Sequence, residues 1–182
     1  MKALLFFLVL ATAAQAADDT LKAGTFDPPR VAPDFTLKGS DGSDLNLSRY
    51  RGKVIALGFG YTSCPEICPT TLATLAKARR KLGNDGNRLQ VIYVTVDPER
   101  DAPERMRRYL GAIDPSFIGA TGTPGQLAKV REEYGITAKR SGTGFDHSSF
   151  VYLIDREGRI RALSPYGRSA DDIAHDVAIL LK

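Results

Sequence analysis

The chain has 182 residues, a formal net charge of +4, two cysteines, two histidines and no tryptophan. Its 43% hydrophobic and 25% charged residues are globular proportions, which excludes wholesale disorder. Two cysteines exclude a disulfide-rich scaffold and a closed four-thiolate zinc site, and a chain of this length buries about 70% of its unfolded surface without either.

Lys2 precedes an apolar run, residues 3–11, and small residues ending Ala14-Gln15-Ala16. This reads as a secretory leader, expected to be cut after Ala16 rather than kept as an anchor. The run is shorter than the roughly 20 residues of a spanning helix, and no cysteine near the cut could carry a lipid. The mature protein is therefore expected to be exported to the periplasm, an oxidising compartment, with membrane association only if the leader is retained. Residues 17–31, with Asp27-Pro28-Pro29, read as a flexible lead, and 32–182 as one domain, expected to be a monomer.

Residues 32–37 and 44–47 alternate apolar and polar around Gly39-Ser40-Asp41-Gly42, the chemistry of a β-hairpin. Residues 53–61 are almost continuously apolar, as in a strand covered on both faces. After Pro69, Leu72, Leu75, Ala76, Arg79 and Leu82 recur at helical spacing until Gly83. Residues 89–96 form a second buried strand. Asp101-Ala102-Pro103-Glu104 reads as a capping box opening a helix. A further helix covers about residues 125–134. Residues 149–155 and 160–163 are strands around Arg156-Glu157-Gly158, and 170–181 a terminal helix with Ile173, Val177, Leu180 and Leu181 on one face. The class is α/β: a central mixed β-sheet flanked by helices, with an N-terminal β-hairpin.

The chemistry concentrates in Gly58-Phe59-Gly60-Tyr61-Thr62-Ser63-Cys64-Pro65-Glu66-Ile67-Cys68-Pro69. Both cysteines fall after a central strand and at the start of a helix, the edge where ligands bind in open α/β sheets. The positive end of the helix is expected to lower the thiol pKa. Four-residue spacing permits a disulfide or joint coordination of one soft ion. A purely structural bridge fits less well, because so small a loop restrains the unfolded chain little. His147 follows the glycine-rich residues 141–146, read as a mobile loop before a strand, and is the candidate third ligand. His175, between Ala174 and Asp176, reads as solvated surface. Two thiolates and one imidazole favour copper or zinc, and a three-donor set suits Cu(I), or Cu(II) with an added oxygen.

Three blocks in order resemble the Sco/SenC copper-chaperone family, whose fold is thioredoxin-like: residues 60–69, Val96-Asp97-Pro98-Glu99-Arg100-Asp101, and Phe145-Asp146-His147-Ser148 followed by Val151-Tyr152-Leu153-Ile154-Asp155. The resemblance covers about residues 30–182. It implies that Cys64, Cys68 and His147 bind one copper ion, Cu(I) or Cu(II). It also implies a role in building the CuA centre of cytochrome c oxidase, by copper delivery or by reduction of target cysteines. The implied partner is the copper-bearing oxidase subunit or another copper protein. Asp97 and Asp101, at the same sheet edge, read as turn and helix cap, with a supporting or partner-docking role for Asp97 as the alternative.

The competing reading is a thiol–disulfide oxidoreductase that uses Cys64 and Cys68 as a redox pair without metal. A peroxiredoxin, suggested by residues 32–37, is excluded, because P-x-x-x-T-x-x-C would need Pro and Thr where Leu57 and Tyr61 precede Cys64, and where Tyr61 and Pro65 precede Cys68. Nucleic acid is no expected partner: the basic residues are scattered, and Arg79-Arg80-Lys81 suits a helix C-terminus.

Overall fold

The structure is a computed structural model describing residues 20–182. The expected leader and its cleavage point lie outside the described residues. In chain order the elements are β1 (Gly24–Val31), β2 (Thr36–Gly39), β3 (Asp44–Asn46), β4 (Val54–Gly60), α1 (Ile67–Lys81), β5 (Leu89–Thr95), α2 (Pro103–Gly111), β6 (Ile118–Thr121), α3 (Pro124–Glu133), β7 (Ala138–Ser141), β8 (Gly144–His147), β9 (Phe150–Ile154), β10 (Arg159–Pro165) and α4 (Ala170–Leu180). Short 3-10 turns precede β4 and β5.

Eight strands make one mixed sheet in the order β1-β10-β9-β4-β5-β6-β2-β3, while β7 and β8 pair only with each other. The β4–β5 and β5–β6 pairs are parallel, and the remaining neighbours antiparallel. Every residue of β4 and β5 is buried, which matches their unbroken apolar runs. Alternation sends Phe59 to one face, where Tyr134 at the end of α3 and Tyr152 of β9 pack on it at 5.7 and 6.4 Å between ring centroids. Gly58 and Gly60 face the other side, toward Tyr93 and the cysteine-bearing start of α1. Helices therefore cover both faces, as expected from the sequence.

Three local readings need correction. Residues 24–31 are no loose lead: they pair with β10 as an edge strand, with an irregularity between Thr25 and Arg30 that accommodates Pro28 and Pro29. Just upstream, the Lys22 and Ala23 amides donate to the buried Asp176 carboxylate at 2.7 and 2.9 Å. The glycine-rich stretch before His147 is a hairpin turning at Gly142, whose φ of 56° suits glycine, and Thr143. Helix α2 begins at Pro103 with Ala102 as N-cap and no side-chain cap, so Asp101 caps nothing.

Candidate metal centre

The chain leaves β4 at Gly60, turns through residues 61–66 and enters α1 at Ile67. Cys64 lies in the turn, half-buried, while Cys68 is the second residue of the helix and 2% exposed. The turn is gripped from below by Asp101, which is fully buried. Its carboxylate accepts from the Thr62 amide at 3.0 Å, the Thr62 hydroxyl at 2.6 Å and the Thr95 hydroxyl at 2.7 Å. Arg105 donates to the Thr62 and Ser63 hydroxyls at 2.7 and 2.9 Å, bracing the turn from outside. Asp97 is equally buried, pairs with Arg100 and receives no bond on Oδ1. The carbonyl of Asp97 accepts from the Arg100 and Asp101 amides, so the expected turn is present and the expected cap is not.

Helix α1 has no side-chain oxygen cap. The Cys64 sulfur stands in for one, accepting from the Cys68 amide at 3.4 Å. This places Cys64 at the positive end of the helix. Cys68 behaves differently: burial pushes its thiol up to about 12, and the neighbouring Cys64 thiol adds to the rise. The Tyr93 hydroxyl and the Tyr61 backbone work against it without overcoming desolvation. The expected lowering by the helix end therefore fails at Cys68. Both cysteines are free thiols.

The β7–β8 hairpin brings His147 to this turn. Its Nε2 stands 3.7 Å from the Cys68 sulfur, and its Nδ1 is 2.8 Å from the Ser148 carbonyl. A carbonyl only accepts, so Nδ1 carries the proton, and in that tautomer Nε2 presents its lone pair to the sulfur. Tyr61 fixes the hairpin against the cysteine turn. Its hydroxyl accepts from the Phe145 amide at 3.3 Å, and its ring meets those of Phe145 and His147 edge-on at 5.7 and 5.8 Å. Gly144 is required there, because a Cβ would stand 2.6 Å from the Tyr61 hydroxyl. Arg140 pairs with Glu99 at 2.7 Å and lies over the Phe145 ring.

The structure thus brings Cys64 and His147 to the lining of one open cleft of about 320 Å³ between turn and hairpin, with Cys68 buried just behind it, 3.7 Å from His147. Among the described residues no three His, Cys, Asp or Glu side chains already close around a point as metal ligands do, so coordination requires the side chains to rotate inward. His175 stays away, half-buried beside Asp176 at 3.2 Å. Asp101, Tyr61 and Tyr93 are the supporting residues that sequence reasoning missed. Nothing in their local pattern distinguishes them from a cap and two core aromatics.

A model of the SCO1/SenC family matches residues 23–182. A SCO2-like protein of Rickettsia prowazekii is 34% identical over 140 residues, which are 73% of this chain and 68% of that protein. The structure of Bradyrhizobium japonicum ScoI with copper bound aligns at a TM-score of 0.76 with 34% identity, covering 81% of this chain and 98% of the other. Arabidopsis thaliana ScoI with copper bound aligns at 0.75 with 30% identity, covering 82% and 96%. The thioredoxin-like α/β arrangement expected from the sequence is the fold shared with these neighbours.

Proposed function

The chain belongs to the SCO1/SenC family, and from that membership we propose that it is an exported copper-binding protein acting in assembly of the CuA centre of cytochrome c oxidase, by copper delivery, by reduction of target cysteines, or by both. One observation carries the copper reading: an imidazole Nε2 lone pair faces a buried cysteine sulfur at 3.7 Å, with the second thiol one helical turn away. Cys64, Cys68 and His147 are the residues that would hold the ion. The donor set fits: two soft sulfurs and an imidazole select copper over hard ions, and three donors suit Cu(I), or Cu(II) with an added oxygen. Copper is the cargo here, a soft ion able to change oxidation state by one electron. Relatives of 34% and 30% identity are solved with copper bound, which supports the reading.

The protein's own part is positional. The Ser148 carbonyl keeps the His147 proton on Nδ1 and Nε2 free. The Asp101 network holds Cys64 at the helix end. The cleft leaves Cys64 and His147 open to a partner, here the copper-bearing oxidase subunit or another copper protein. We place this chemistry in the periplasm, after cleavage behind Ala16. No helix among the described residues is long and apolar enough to cross a membrane.

Copper titration of the reduced protein tests the reading. Wild type should take up one equivalent and, as Cu(II), show a sulfur-to-copper charge-transfer band. His147→Ala should lose roughly a hundredfold or more in affinity. Undiminished affinity in that variant overturns the three-ligand assignment.

The metal-free alternative keeps one specific support: Cys64 is half-exposed and Cys68 is buried directly behind it. In that reading the Cys64 thiolate attacks a target disulfide, forming a mixed disulfide and releasing one target thiolate. Cys68 then displaces the second, leaving a Cys64–Cys68 disulfide and a dithiol target. His147 takes no part, so His147→Ala would keep disulfide exchange while losing copper.

A further inference from the structure

Tyr93 lies in the middle of β5, opposite Gly58 of β4, and is 3% exposed. Its hydroxyl is buried and faces the Cys68 sulfur without closing a well-directed hydrogen bond. Buried tyrosine hydroxyls usually find a partner, and one left without costs free energy. The place a Cβ of residue 60 would occupy is 1.8 Å from the Tyr93 oxygen and 2.8 Å from the Cys68 sulfur. Glycine at 58 and 60 therefore clears a slot where phenol oxygen and sulfur crowd the same point. The buried Tyr109 hydroxyl also lacks a partner and feels both thiols through space, but no glycine Cβ position falls against it.

A neutral thiol is a weak acceptor, so the Tyr93 O–H gains little from it. A thiolate is a strong acceptor, and one buried in this position needs a donor. The Cys68 amide is already turned to the Cys64 sulfur, so the groups that favour a thiolate at Cys68 are the Tyr93 hydroxyl and the Tyr61 backbone. We infer that Tyr93 is a positioning residue for the copper site, donating a hydrogen bond from its hydroxyl to the Cys68 sulfur when that sulfur is a copper-bound thiolate; this rests on the copper reading above. The bond draws electron density from the Cys68 sulfur. With copper bound, this would weaken Cys68 as an electron donor and raise the energy of its charge transfer to Cu(II).

Tyr93→Phe tests this by removing one oxygen and keeping the ring. The copper-free reduced variant should melt at the wild-type temperature or above it, because the unpartnered oxygen is gone. Its copper affinity should fall roughly tenfold. The charge-transfer band should move to longer wavelength, and the rise in Tm on copper loading should shrink. Tyr109→Phe, tested beside it, should leave the band in place. An unchanged band and affinity in Tyr93→Phe overturn the inference. So does a lower copper-free Tm with an undiminished copper-induced rise, which is the signature of a structural role. So does an equal band shift in Tyr109→Phe. Wild type that takes up no copper brings down the copper reading itself, whereas wild type and Tyr93→Phe that load alike bring down the role of Tyr93 alone.

Discussion

The two halves of the candidate centre are built to different standards. The cysteine turn is clamped between a fully buried carboxylate, Asp101, and a helix anchored by Leu72 and Leu75, which are 0% and 1% exposed. The histidine rides on a two-stranded hairpin that shares no ladder with the main sheet. A lone hairpin is marginal in water. This one is held by the contacts of Tyr61, the backbone and hydroxyl bonds between Thr137 and Ser148 at its base, and one surface ion pair. Two donors are thus set by the fold, while the third sits on an element of low local stability. Under the copper reading proposed above, that division suits a site that holds an ion and lets it go.

The largest expected effect falls on the clamped side. Asp101→Ala strips the Thr62 amide and the Thr62 and Thr95 hydroxyls of their acceptor, with Thr95 fully buried. At 1–3 kcal/mol for each buried group left unsatisfied, the loss of stability should be about 3 kcal/mol. Copper affinity should fall with it, because the Cys64 turn loses its support. His147→Ala should cost about 0.5 kcal/mol or less while weakening copper binding by roughly a hundredfold or more. Urea unfolding of both variants checks the contrast, and a His147→Ala loss equal to that of Asp101→Ala would erase it.

The next effect is set by pH. In the fold the Cys68 thiol is pushed up to about 12 from an ordinary 9.0, and the Tyr93 and Tyr134 hydroxyls are raised too, all chiefly by burial. Above pH 9 the unfolded chain sheds these protons and the fold does not. The stabilisation is therefore complete below about pH 9 and declines as pH rises toward 12. A single such group contributes about 1.4 kcal/mol for each pH unit in that window. Unfolding under reducing conditions should show a steep alkaline slope. Cys68→Ser should make it shallower, with the tyrosines supplying the remainder. His147→Ala is the control and should leave it unchanged. An unaltered slope in Cys68→Ser would mean that the thiol is not buried as described.

The same contrast explains what could be read in the sequence. Cys64, Cys68 and the strand–helix alternation declare themselves through local spacing and periodicity. His147 stood out by scarcity and by its place in the third matching block. Asp101 reads as a cap because Asp-x-x-Glu before a helix is the local pattern of one. Its actual partner, Thr62, is 39 residues away, and no local rule points there. The hairpin was misread as a loop because four-residue strands such as Ala138–Ser141 are too short and too exposed to alternate visibly. The edge strand β1 was hidden by Pro28 and Pro29, which an unpaired edge tolerates and a central strand would not. Tyr93 looked like any core aromatic, since period-two alternation does not reveal which face borders the thiols.

The smallest effect probes a charged tie of the hairpin. Arg140 and Glu99 meet at 2.7 Å, but their side chains are 52% and 73% exposed, so solvent screens most of the attraction. Exposed pairs of this kind contribute about 0.2–1 kcal/mol. Arg140 also covers the Phe145 ring at 5.1 Å, a contact Glu99 does not share. Local opening is the right measure, because global unfolding averages over the stronger core. Hydrogen exchange at the Phe145 amide, which is bonded to Tyr61, should speed up in Arg140→Gln more than in Glu99→Gln. The double variant should show a coupling of about 0.5 kcal/mol at low salt. Raising the salt should erase most of that coupling while leaving the ring-contact share of the Arg140 effect. The Cys68 amide, on the clamped side, should keep its exchange rate throughout. Matching acceleration there would mean that hairpin and cysteine turn open as one unit, and that the third donor is no more adjustable than the other two.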